Sequence, residues 1–193
     1  MKWQITFEFL WISTKILIKY MIYLLSKKVV IILNIDIVSV GKVKEKYIKL
    51  GIAEFSKRLS AHCKLNIIEV DDLSAAENLS DSEKEIVKDK EAEKILSKIK
   101  DNHYVITLEI LGNQLTSEKL ASKIENLTVQ GHSNICFVIG GSLGLGKSVL
   151  DRSDYALSFS KFTFPHQLMR LILLEQIYRS FRIINNLPYH KWG

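Results

Sequence analysis

The sequence predicts a single α/β domain whose parallel sheet carries helices on both faces. Three observations lead there. From Asn34 onward, short apolar alternations and longer amphipathic stretches succeed one another with connections of ordinary length, and no repeat or linker interrupts them. The segment NICFVI at 134–139 is apolar at both parities, the pattern of a central strand buried on two sides. Of the 193 residues, 47% are apolar and 25% charged, with two prolines; this supports one packed core and excludes a disordered or collagen-like chain.

Ile35, Ile37 and Val40 define a first strand, residues 42–60 an amphipathic helix, and LNIIEV at 65–70 an alternating second strand. The charged stretch that follows reads as a loop and then a helix from about Ser82. Ile86, Ala92, Ile95, Leu96 and Ile99 share one face of it, and Glu/Lys pairs form a solvated opposite face. YVITLEI at 104–110 is a third strand, and Thr116 is placed to cap a helix running to about Gln130. NICFVI, the fourth strand, runs straight into Gly140 and Gly141. A short helix near Val149, a fifth strand at 155–159 and a long helix at 166–185 follow. Pro165 opens that helix at its first position, where a missing N–H costs nothing. The last helix is apolar on nearly every side. One stripe serves its own sheet; the second predicts the same helix of another chain as partner, with Ile177 and Phe181 in that interface.

The formal charge of +6 is unevenly spread, and residues 142–193 carry 7 basic and 3 acidic side chains. Cys63 and Cys136 lie far apart with no zinc-like spacing around them, so neither a disulfide framework nor a metal site is expected, and a cytoplasmic setting fits. Residues 1–33 are more apolar than the rest, but Glu8, Lys15, Lys19, Lys27 and Lys28 cut them into runs too short for a spanning helix or a signal peptide. An interfacial amphipathic helix is the alternative. The expectation is a leader left by a misassigned start, with Leu33 read as Met, and a domain over 34–193 that does not engage a membrane.

GSLGLGKS at 141–148 satisfies G-x-x-x-x-G-K-[ST], the phosphate-cradling loop of nucleotide triphosphatases, and it follows a strand as that motif requires. Lys147 would then reach the terminal phosphates and Ser148 a magnesium ion. Only 45 residues follow Ser148, and no later apolar strand ends in the second metal-binding acid, which argues against this use. The other use of Gly140, Gly141 and Gly144 is steric: a sharp turn that lets backbone approach a flat ligand such as adenosine.

FVIGGSLGL, then ALSFSKFTFPHQLMRLILLEQIYRSFRIINNLPYHK, with NIDIVSVGK and VITLEI upstream, closely resemble the ribosomal RNA large subunit methyltransferase H family, a branch of the SPOUT methyltransferases. The likeness runs from about Asn34 to Lys191. It implies a parallel-sheet domain with a C-terminal trefoil knot, working as a homodimer. It further implies S-adenosylmethionine as cofactor, and as substrate N3 of a pseudouridine in helix 69 of 23S rRNA, in the large subunit or the assembled ribosome. Carried across by motif, Leu108, Gly140 and the run Ser160, Lys161, Phe162, Thr163, Phe164 and Pro165 line the cofactor pocket. No metal is implied.

Methyl transfer from a sulfonium is an in-line displacement, and a neutral N3–H must lose its proton for the nitrogen to attack. The candidates for that task are His166 and Arg170, one turn apart at the start of the last helix, and Tyr189 and His190 in a tail able to fold over the site. His62, His103 and His132 lie in charged or loop contexts and are set aside. Arg170, Arg179, Arg182 and Lys191 form a candidate phosphate-binding stripe. Of Phe159, Phe162 and Phe164, at least two are assigned to the core. A non-catalytic RNA-binding module is the remaining alternative, since it would need the basic end but not the glycine loop.

Overall fold

Period-two alternation decides which side of the sheet each strand residue takes. β1 (Asn34–Val40) sends Ile35 and Ile37 into one apolar cluster and Val38 and Val40 into another. β4 (Asn134–Ile139) sends Ile135, Phe137 and Ile139 to the first and Cys136 and Val138 to the second, so NICFVI is buried on both faces as its composition predicts. With β2 (Lys64–Val70), β3 (Tyr104–Gln114) and β5 (Tyr155–Ser158), these strands form a five-stranded sheet of order β2-β1-β4-β3-β5, parallel throughout. The computed structural model describes residues 33–73 and 79–189. The expected leader, apart from Leu33, and His190 lie outside the described residues.

Helices cover both faces. α1 (Lys46–Leu59), α3 (Ser117–Val129) and α5 (His166–Ile184) contribute Leu59, Leu120, Ile124, Leu127, Leu173 and Leu174 to the first cluster. α2 (Asp81–Leu96) and α4 (Lys147–Arg152) contribute Ala92, Ile95 and Val149 to the second. Thr116 caps α3, its hydroxyl accepting from the Lys119 N–H, and Ser80 with Glu83 forms a capping box on α2. Pro165 is the residue before α5, with φ −57° and ψ 126°, rather than its first helical residue. α1 starts at Lys46, later than expected. The Val43 and Lys44 N–H groups donate to Glu69 Oε1 at 3.0 Å and Gln167 Oε1 at 2.8 Å, so side chains hold that stretch before the helix begins.

Two further expectations change. Ile177 and Phe181 point into their own core, with 0% and 7% exposure, and are not interface residues. α5 retains Leu168 and Ile172, one turn apart and half-buried, as apolar side chains belonging to neither cluster. On α2 the charged face is not wholly solvated: Glu91 is buried while Ile86 is exposed. Cys63 and Cys136 are buried free thiols whose pKa values burial pushes up to about 12, which leaves them protonated and unreactive. Among the described residues, no helix is long and apolar enough to cross a membrane.

Candidate active site

A bulge in β3 and the segments that leave the carboxyl ends of β4 and β5 enclose a cavity of about 500 Å³. That volume lies within the range of small-molecule sites, about 300–1,000 Å³, and the position is where parallel sheets bind ligands.

The first wall follows β4. Its turn is closed by Gly144, at φ +86°, whose N–H donates to Gly141 O at 3.2 Å. A Cβ on Gly140 would lie 2.8 Å from the Gly144 carbonyl carbon and oxygen, so Gly140 is required by the turn's own backbone rather than by a ligand. Glu91 lies beneath this wall and accepts from the Leu73 N–H at 3.1 Å; burial pushes its carboxyl above the usual carboxylate range. The remaining features of the apparent phosphate loop have other roles. A Cβ on Gly146 would meet Lys88 O at 2.6 Å, so this glycine lets α4 press on α2, and Lys147 Nζ binds Asp151 at 2.8 Å on the surface.

The second wall is a bulge in β3. Its register against β5 jumps from Leu108 to Asn113, and Glu109, Ile110 and Leu111 turn onto the cavity, Leu111 fully exposed. Thr107 donates to Glu109 Oε1, and Ser158 Oγ donates towards Ile110 O at 3.0 Å and Ser160 O at 3.2 Å, tying this wall to the third.

The third wall is the segment after β5. Of the residues expected at the cofactor, Leu108, Gly140, Ser160, Phe162, Thr163 and Phe164 line the cavity; Lys161 and Pro165 are exposed and do not. Phe159 is half-buried against the first apolar cluster, Phe164 is half-buried on the cavity wall and in neither cluster, and Phe162 stands exposed at the mouth, so one of the three phenylalanines, not the expected two, joins the core.

The four candidate catalytic residues separate. His166 lines the cavity, and burial, followed by the charge of Arg170, holds its imidazole below the usual histidine range, with Asp72 opposing. It is therefore neutral at pH 7 and able to accept a proton. Arg170 is fully buried away from the cavity, donating to Glu69 Oε1 at 2.7 Å, Val40 O at 2.6 Å and Gly41 O at 2.7 Å. Tyr189 also lies away from the cavity, donating to Glu175 Oε1 at 3.1 Å and packing edge-on to Tyr178. His190 lies outside the described residues. The expected phosphate-binding stripe is not assembled by the described arginines: Arg170 is interior, Arg179 pairs with Glu175, and Arg182 donates to Pro188 O at 3.1 Å.

Sequence reasoning missed Glu109, Thr107, Ser153 and Ser158. An acid within the apolar run VITLEI was the available signal for Glu109; the other three owe their importance to partners distant in sequence.

A family model described as "Predicted SPOUT methyltransferase" matches residues 33–190. A Finegoldia magna protein named "Ribosomal RNA large subunit methyltransferase H" is 96% identical over 159 residues, spanning 82% of this chain and 100% of that protein. A Clostridioides difficile protein of the same name is 65% identical over the same shares. Among solved structures, a putative methylase family protein from Neisseria gonorrhoeae aligns with a TM-score of 0.47 at 10% identity, covering 86% of this chain and 90% of that one. With the family model matching most of its length, this chain belongs to the SPOUT methyltransferase family and is a methyltransferase.

Proposed function

We propose that this enzyme uses S-adenosylmethionine to methylate N3 of a pseudouridine in helix 69 of 23S rRNA, within the large subunit or the assembled ribosome. The observation that carries the reading is the 96% identity to the F. magna rRNA large subunit methyltransferase H over that protein's whole length. Membership of a methyltransferase family disfavours both the triphosphatase and the non-catalytic RNA-binding alternatives.

The cavity suits the cofactor. Its walls are apolar side chains such as Leu108, Leu145, Leu157 and Met169, interrupted by the backbone of the Gly140–Gly144 turn, a surface for a flat nucleoside with polar edges. Leu108, Gly140, Ser160, Phe162, Thr163 and Phe164 hold it; Lys161 and Pro165 shape the third wall from outside. When bound, S-adenosylmethionine supplies an electrophilic methyl group on a cationic sulfur. His166, neutral and facing the cavity, takes the N3 proton. Arg170 is a positioning residue: by fastening α5 to the carboxyl ends of β1 and β2, it sets where His166 stands one turn earlier.

The working form is a homodimer. Leu168 and Ile172 provide the unspent apolar surface on α5, and a second chain is the source of a tail for a cavity that its own Tyr189 does not reach. The C-terminal trefoil knot belongs to the same reading. The chain leaves the edge strand β5 and returns across the sheet to bring Arg170 against Val40 and Gly41, the kind of return path a knot needs.

The test is mass spectrometry of helix 69 from cells lacking this gene, followed by incubation of their ribosomes with the purified enzyme and labelled S-adenosylmethionine. The expected result is unmethylated pseudouridine that regains one methyl group at N3. An intact methylated pseudouridine in the deletion strain would overturn the reading.

A further inference from the structure

The cavity is acidic in a chain whose net charge is +6. Among its described lining residues Glu109 is the one acid and the neutral His166 the one basic residue; no lysine or arginine lines it. Glu109 is also held in place. The Thr107 hydroxyl, on a fully buried residue, donates to Glu109 Oε1. Thr107 has a single hydroxyl proton, already given to Glu109, so in its 2.7 Å contact with Ser153 the serine must be the donor. The relay runs from Ser153 at the end of α4, through Thr107, to a carboxylate on the β3 bulge. A carboxylate serving only as a surface charge needs no such support.

We infer that Glu109 is a specificity-determining residue that favours the cationic methyl donor over its neutral product. The inference rests on the S-adenosylmethionine reading above. Before transfer the ligand carries a sulfonium charge. In the reaction the sulfur–methyl bond breaks with its electron pair left on sulfur, a nitrogen–methyl bond forms, and the N3 proton passes to His166. The positive charge thereby leaves the ligand. A fixed carboxylate in a cavity walled by apolar side chains attracts the charged ligand and has no matching hold on the uncharged sulfide, so Glu109 promotes loading of the donor and release of S-adenosylhomocysteine.

The test is calorimetric titration of the full chain with S-adenosylmethionine and, separately, with S-adenosylhomocysteine. Glu109→Gln preserves shape and the acceptor for Thr107 but removes the charge. It should weaken S-adenosylmethionine binding about tenfold while leaving S-adenosylhomocysteine within about twofold. Glu109→Asp should restore the wild-type preference. Ser153→Ala, which releases the far end of the relay, should move the ratio of the two affinities in the same direction by about threefold, and it tests the inference even if the glutamine variant does not fold. Equal weakening of both ligands, or no change in their ratio, would overturn it. Failure of the wild-type chain to bind either ligand would instead remove the cofactor reading itself.

Discussion

At its amino end α5 turns His166 and Met169 into the cavity, whereas beyond its carboxyl end the chain folds back and Tyr189 settles on Glu175, Tyr178 and Arg179. Glu175 lies nine residues beyond His166, about 14 Å along the helix at 1.5 Å per residue. The amino end is held by buried charge, with Arg170 fastened to two backbone carbonyls and Glu69; the carboxyl end is held by contacts that remain half-exposed. One chain therefore brings the proposed base His166 to the cavity at the amino end of α5, while Tyr189 of its tail lies against the middle of that helix, away from the cavity. In the proposed homodimer, a second chain places that tail over the cavity.

The largest effect is expected at the amino end. Gly140→Val puts a branched side chain where a Cβ alone would lie 2.8 Å from the Gly144 backbone, and calorimetry should show no measurable S-adenosylmethionine binding. Next comes the division of labour itself. His166→Ala and truncation after Asn186 should each lower methyl transfer at least about 10²-fold while leaving cofactor affinity nearly unchanged. Mixing the two inactive chains should recover about a quarter of wild-type activity, because half the dimers then pair an intact His166 with an intact partner tail. No recovery would break the comparison, leaving each tail to serve its own cavity.

Arg170→Ala strands Glu69 and two buried carbonyls and should cost about 3 kcal/mol of stability in denaturant unfolding. If Arg170 acts only by fastening α5, whatever folds should bind cofactor normally and show kcat reduced far less than His166→Ala does.

A smaller effect concerns acid. His103 is buried beside Asp36, its Nε2 3.4 Å from Oδ2, and burial holds its pKa below the usual histidine value despite that carboxylate. His62 and His166 are shifted the same way, both chiefly by burial. The folded state thus binds fewer protons than the unfolded one, so the stability due to the neutral histidines is fully present above their unfolded pKa of about 6.5 and is lost as pH falls through the folded values. Tm measured from pH 8 to pH 5 should decline below about 6.5, less steeply in His103→Gln. Smallest of all, Lys147→Ala should leave cofactor affinity within about twofold and stability within about 1 kcal/mol, since its pair with Asp151 is exposed.

What the sequence determined by itself was whatever depends on near neighbours. Alternation placed the strands, double-sided apolarity identified β4 as central, Thr116 marked the start of α3, and six of the eight residues that the family resemblance assigned to the cofactor line one cavity. Lys161 and Pro165 fell outside because, in an extended segment, not every side chain of a contiguous run can face the same side. Tertiary structure alone decided the rest, because the deciding partners are remote. Arg170 reads locally as a helix-surface cation, yet it is buried by carbonyls at Val40 and Gly41, 130 and 129 residues away. Ile177 and Phe181 read as a second apolar face and proved to be core once the sheet lay beneath them. Glu109 acquires its role from Thr107 and from Ser153, which lies 46 residues beyond that threonine and reaches it only because α4 and β5 follow the glycine turn back towards β3.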